Sequence, residues 1–108
     1  MAFTVRFTKA ALQDLRELHA FISAHDSPGN ADYFTREIVR AALTLRDFPY
    51  HGANPPELVA LGSRSYRQIF FKPYRILYRI RGNTVLIAVI ADGRRSMIRL
   101  LARRLHGP

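Results

Sequence analysis

The sequence predicts an α+β domain: an N-terminal strand, then an antiparallel helical hairpin packed on an antiparallel β-sheet (β-α-α-β-β-β), closed by a short C-terminal helix. Three observations carry this. Two apolar stripes recur at three- and four-residue spacing between positions 11 and 45. Three β-rich segments separated by turn signals follow between positions 66 and 91. The chain, at 108 residues, is long enough for one core and too short for two, so residues 1–108 are read as a single domain.

Phe3-Thr4-Val5-Arg6-Phe7 alternates with period two and reads as a short half-buried strand. Thr8 stands where an N-cap belongs. Behind it, Ala11, Leu12, Leu15, Leu18 and Ile22 form one helix face, and Gln13, Asp14, Arg16 and Glu17 the outer one, with an end near His25. Ser27 and Pro28 fit the N-cap and first position of a second helix. Its stripe of Ala31, Phe34, Ile38, Ala41, Ala42 and Leu45 runs to about Asp47. The short link makes the two helices an antiparallel hairpin. Pro49, Gly52, Pro55 and Pro56 then impose a loop over residues 48–63.

Tyr66–Phe71, Arg75–Arg81 and Thr84–Ala91 read as three strands of a meander, divided by Lys72-Pro73 and by the hairpin signal Gly82-Asn83. The last is apolar on both faces and belongs in the middle of the sheet. After the turn at Asp92-Gly93, Ser96 caps a final helix expected to turn Ile98, Leu101 and Leu105 inward.

There is no cysteine, which excludes disulfides, thiolate catalysis and Cys-based zinc sites. No apolar run approaches the roughly 20 residues a spanning helix needs, and the N-terminus lacks a signal-peptide core. The expectation is a soluble cytoplasmic protein with no membrane partner.

The net charge is +9 and strongly uneven. Residues 1–62 are near neutral, whereas residues 63–108 hold eleven basic side chains and a single acidic one, Asp92. Such a basic half calls for an anionic partner, nucleic acid or acidic protein. Period-two geometry puts Arg75, Leu77, Arg79 and Arg81 on one strand face, with Arg67 on the neighbouring strand a candidate to join them. Three guanidiniums cannot all be buried unpaired, so this face is expected to be open or to meet an anion. Arg94 and Arg95 follow the last strand, and Arg95, Arg99 and Arg103 share a helical stripe. Arg67, Arg75, Arg79, Arg81, Arg94, Arg95 and Arg99 are therefore the candidate anion-binding residues, arginine forks being matched to phosphate oxygens. Ordinary solvated surface arginines are the competing explanation. Tyr66, Tyr74 and Tyr78 are interleaved with them in the manner of a base-stacking platform, although Tyr78, between Ile76 and Ile80, reads as core.

Other chemistry is poorly supported. His19 falls on the apolar side of the first helix as a partly buried structural residue, and no metal-ligand spacing, nucleophile elbow or phosphate loop is present. No metal and no cofactor is expected.

The element order, Phe7-Thr8 and Asp14-Leu15 at the first helix, Pro56-Glu57-Leu58 and Gly62 in the loop, Tyr66-Arg67, Lys72-Pro73-Tyr74-Arg75-Ile76-Leu77-Tyr78-Arg79-Ile80 and the closing Asp92-Gly93-Arg94-Arg95 resemble the RelE/ParE superfamily of type II toxin–antitoxin toxins over residues 3–105. The resemblance implies a cognate antitoxin and one of two activities. RelE-like members cut mRNA on the ribosome, and for that activity Arg67, Arg75 and Arg95 match basic positions of the nuclease site. ParE-like members poison DNA gyrase by binding it. RNA cleavage needs a proton acceptor and donor as well as charge stabilisation, and arginine stays protonated. Ile69 replaces one basic position, and Ser96–Leu101 offers no tyrosine or histidine. This absence points to the ParE branch, with no catalytic residue established; a basic nucleic-acid-binding module without toxicity is the further alternative.

Overall fold

The order of elements follows the sequence expectation, and one strand enters the sheet in an unexpected direction. The computed structural model describes residues 2–106, with side chains through Arg104. Strand β1 (Thr4–Phe7) is followed by helices α1 (Lys9–His25) and α2 (Pro28–Leu43), a 3₁₀ turn (Thr44–Arg46), a single helical turn α3 (Pro56–Val59), strands β2 (Arg67–Phe71), β3 (Tyr74–Arg81) and β4 (Thr84–Asp92), and helix α4 (Met97–His106).

Both long helices begin at the anticipated caps. Thr8 Oγ1 accepts the Ala11 N–H at 3.1 Å, and Ser27 Oγ accepts that of Asn30 at 3.0 Å, with Pro28 at the first helical position. The second helix tightens into 3₁₀ geometry after Leu43, which still buries Leu45. Helix α3 interrupts the segment read as loop; Pro56 at its start and Glu57 in its first turn are the local signals for it.

The sheet order is β1-β4-β3-β2. Strands β2, β3 and β4 form the antiparallel meander, but β1 lies parallel to β4, with Thr4 opposite Thr84 and Phe7 opposite Ile87. The sheet is thus mixed. The helical hairpin and two strands separate β1 from β4, enough chain to return to the end at which β1 starts. β4 is interior, as its two apolar faces require.

Helices α1 and α2 cover one face through Ile22, Ile38, Leu45, Ile76, Tyr78, Val85 and Ile87. The second face carries a smaller cluster of Leu58, Leu77, Val89, Ala91, Met97, Leu100 and Leu101 beneath α4. A bulge lies between these two zones: Leu77 pairs with Val89 but Tyr78 with Ile87, so Ala88 has no partner on β3. Helix α4 docks with a different phase from that expected. Met97, Leu100 and Leu101 point inward, whereas Ile98 is 42% exposed. Met97, fully buried on the Leu77–Val89 surface, sets that phase. The side chains of Leu105 and His106 lie outside the described residues.

The loop after α2 is fixed by β3. Tyr78 Oη donates to the Pro49 carbonyl at 2.8 Å and accepts the Gly52 N–H at 2.9 Å. Burial pushes this phenol's pKa upward. Gly52 is required by close approach: a Cβ there would stand 2.6 Å from the Gln68 carbonyl oxygen and 2.7 Å from Tyr78 Oη. Tyr78→Phe leaves the Gly52 N–H and Pro49 C=O without their partner and is expected to cost about 1–3 kcal/mol in urea unfolding. Gly52→Ala should cost more, because backbone must move.

Candidate functional site

The arginine expected to lead the basic strand face is buried. Arg75 is 7% exposed, and every part of its guanidinium has a partner. Nη1 and Nη2 each donate to one Glu57 carboxylate oxygen at 2.8 Å, and Nε donates to Gln68 Oε1 at 2.8 Å. The hydrogen bonds from Arg75 hold the Glu57 carboxyl below its ordinary pKa. A guanidinium can be buried because a carboxylate meets its fork in two places. The face is therefore open only from Arg79 onward, and Arg75 is not an exposed anion ligand.

Arg67 does not join Arg75. The register sets Arg67 opposite Tyr78 and Gln68 opposite Leu77, so Gln68 shares the Arg75 face and Arg67 points to the other side of the sheet. There it donates to the carbonyls of Gly52 at 2.7 Å and Tyr50 at 3.3 Å, with its Cζ 5.2 Å from the Tyr50 ring centroid. It holds the loop.

The remaining candidates are at the surface. Arg94 is paired with Asp92 at 2.8 Å, and this bond draws the Asp92 carboxyl down to about 2. Arg95, in the turn before α4, lines one shallow depression with Arg99 and Arg103 of the helix. Arg79 lies over the Tyr66 ring, 5.5 Å from its centroid, and Arg81 is exposed. Of the interleaved tyrosines, only Tyr66 keeps to this face. Tyr74 packs edge-on against Phe34, and burial pushes its phenol pKa upward.

Three residues were not singled out by pattern. Asp14, assigned to the outer face of the first helix, is half-buried and accepts the Ile90 N–H at 2.9 Å. It also receives Arg104 Nη2 on both carboxylate oxygens, at 2.6 and 2.7 Å, while Arg104 Nη1 donates to the Ala88 carbonyl. β1 pairs with β4 only as far as Ile87, so these two side chains occupy the edge that β1 vacates. The third residue is Arg6, which the β1–β4 register places beside Leu86 on the same sheet face as Arg79.

His19 is half-exposed and binds Asp32 across the helical hairpin at 2.7 Å, and among the described residues no group of His, Asp and Glu could hold a metal ion. No described helix is long and apolar enough to cross a membrane.

Residues 5–97 match the model of the ParE toxin of the type II toxin–antitoxin system parDE. The chain belongs to the ParE toxin family. No functionally curated protein sequence matches it. Among solved structures, it is similar to a chain of the chromosomal ParDE toxin–antitoxin system from P. aeruginosa, with TM-score 0.71 and 19% identity over 84% of this chain and 96% of that one. It is also similar to a chain of the RelBE2 toxin–antitoxin complex from Mycobacterium tuberculosis, with TM-score 0.60 and 26% identity over 85% of this chain and 99% of that one. This ParE-family chain is the toxin component of a type II toxin–antitoxin system.

The lowered pKa of Glu57 gives a pH test. Its ion pair with Arg75 contributes fully above the ordinary carboxylate value of 4.5 and is lost as pH falls through the lowered one. Glu57→Gln is expected to lose about 2 kcal/mol at neutral pH, less than a fully buried pair because Glu57 is 31% exposed. The variant's melting temperature should fall less steeply below pH 4.5 than the wild type's.

Proposed function

We propose that this ParE-family toxin inhibits DNA gyrase by binding it, in the cytoplasm, and that a cognate antitoxin holds it inactive. The observation that carries the choice of binding over cleavage is the separation of Arg67 from Arg75. The three arginines that match nuclease positions do not converge: Arg67 serves loop carbonyls on one face, Arg75 is neutralised by Glu57 on the other, and only Arg95 is exposed. A phosphorane would find neither two free cations nor a proton acceptor among them. The family match supports the same branch.

The antitoxin follows from the ParDE and RelBE2 systems to which the fold is similar, both of which pair a toxin with a second protein. A strongly basic toxin suits an acidic antitoxin segment that orders on binding.

The test sets two assays beside each other on one preparation. Purified toxin is expected to block gyrase supercoiling of relaxed plasmid, or to trap cleaved DNA, while mRNA on translating ribosomes stays intact by primer extension. Addition of the antitoxin should restore supercoiling. Codon-phased cuts with normal supercoiling would replace this reading with the RelE-like one, and in that event Arg95→Ala should slow cutting by about a hundredfold.

A further inference from the structure

Helix α4 covers only half of the second sheet face, and the half it leaves open is built from arginine. The covered half centres on Leu77, Val89 and Ala91. Beyond the bulge, Arg6 on β1, Leu86 on β4 and Arg79 on β3 lie in one row across the sheet, with Tyr66 beside Arg79. The next row is Thr4, Thr84 and Arg81. We propose that this open half-face, through Arg6, Arg79 and Arg81, binds the phosphate backbone of a single nucleic-acid strand.

The geometry fits that ligand in three respects. Adjacent strands stand about 4.8 Å apart, so Arg6 and Arg79 are separated by about 10 Å, and Arg79 and Arg81 by about 7 Å along β3. Both spacings are within the reach of long arginine side chains toward one strand that tracks along a positively charged surface. The three arginines form no ion pair among the described residues, and β1, β3 and β4 bring no carboxylate to this end of the face. The half-exposed Arg79 guanidinium lies over the Tyr66 ring, 5.5 Å from its centroid.

The same surface is a poor match for a peptide. An extended peptide gains affinity from backbone hydrogen bonds at a sheet edge, which a sheet face does not offer. An amphipathic helix needs a continuous apolar groove, and Leu86 is the one large aliphatic residue in these two rows. What remains is charge at regular spacing, with two threonine hydroxyls between. The proposal does not rest on gyrase as the target.

Fluorescence anisotropy of the full-length toxin with a labelled 12-nucleotide oligothymidylate tests this directly, with a 12-residue polyglutamate peptide as competitor. Three phosphate contacts predict a slope of about −2 for log K against log salt. Replacing Arg6, Arg79 and Arg81 together by alanine should weaken binding at least about tenfold and bring the slope towards zero. Arg6→Ala and Arg81→Ala singly, both at exposed positions, should each lower the slope by about 0.7 without changing the melting temperature. Arg95→Ala/Arg99→Ala/Arg103→Ala, in α4 and the turn before it, should leave the oligonucleotide affinity within about twofold. The proposal is overturned if the wild type does not bind the oligonucleotide at low salt, if the α4 triple variant loses binding while the sheet variants keep it, or if polyglutamate displaces the oligonucleotide at equal concentration. The assay contains neither gyrase nor antitoxin, so its failure leaves the gyrase reading standing.

Discussion

The architecture of the second sheet face depends on one buried cation. Arg75 reaches the interior with 7% exposure, where an unpaired guanidinium would be untenable. Its two partners come from different places: Gln68 from the adjacent strand and Glu57 from α3. Meeting Glu57 ties the middle of a proline-rich segment to the sheet. That seats Leu58, the next residue, against the cluster made with Met97, Leu100 and Leu101 of α4. The position of the C-terminal helix, and hence which part of the sheet it covers, follows from how this charge is satisfied. Gly93 takes part at the same place, since a Cβ there would approach the Arg75 side chain at 3.2 Å.

A second charged pair solves a different problem. Strand β1 is four residues long and β4 nine, so much of the β4 edge has no strand beside it. Asp14 takes the Ile90 N–H and Arg104 Nη1 the Ala88 carbonyl, and Arg104 Nη2 bridges both Asp14 carboxylate oxygens. Side chains from the first and last helices thereby stand in for backbone groups of a strand. An uncovered edge invites pairing with another chain, and charged side chains are a common way to prevent it. In both cases the cost of desolvating ions is offset by complete hydrogen bonding, and among the described residues no buried side-chain nitrogen or oxygen lacks a partner.

Local patterning was a sound guide wherever a residue's neighbours along the chain decide its environment. Thr8, Ser27 and Pro28 act as helix starts because capping is a short-range geometry. Tyr78 is core because its alternation with Ile76 and Ile80 is local. Pattern failed where long-range register decides. Alternation places Arg75, Arg79 and Arg81 on one face correctly, but it cannot say that Glu57, 18 residues earlier, will neutralise the first of them. Whether Arg67 faces the same way depends on the β2–β3 register, a one-residue question that reverses the answer. The parallel entry of β1 and the role of Arg6 depend on pairing across nearly the whole chain. Asp14 looked like an outward residue because its partner, Arg104, is 90 positions away.

The charge balance bears on why this surface needs a partner at all. Of eight carboxylates in the chain, Asp14, Glu37, Glu57 and Asp92 are already engaged in ion pairs with arginine within the fold, and Asp32 is hydrogen-bonded to His19. Asp26 accepts from Asn30 and Glu17 from Gln13, both on the helical hairpin. The fold therefore spends its acids on architecture, chiefly at the helices and beneath α4. Asp47 is the eighth, and among the described residues none of the eight pairs with Arg6, Arg79 or Arg81, or with Arg95, Arg99 or Arg103. Their mutual repulsion is tolerable in water and screened by salt within about 10 Å, but it makes any approaching polyanion a stabilising ligand. A toxin built in this way carries the electrostatic half of its recognition before a partner arrives. On the open rows, a strand of phosphates would meet cations that no carboxylate of the fold has neutralised.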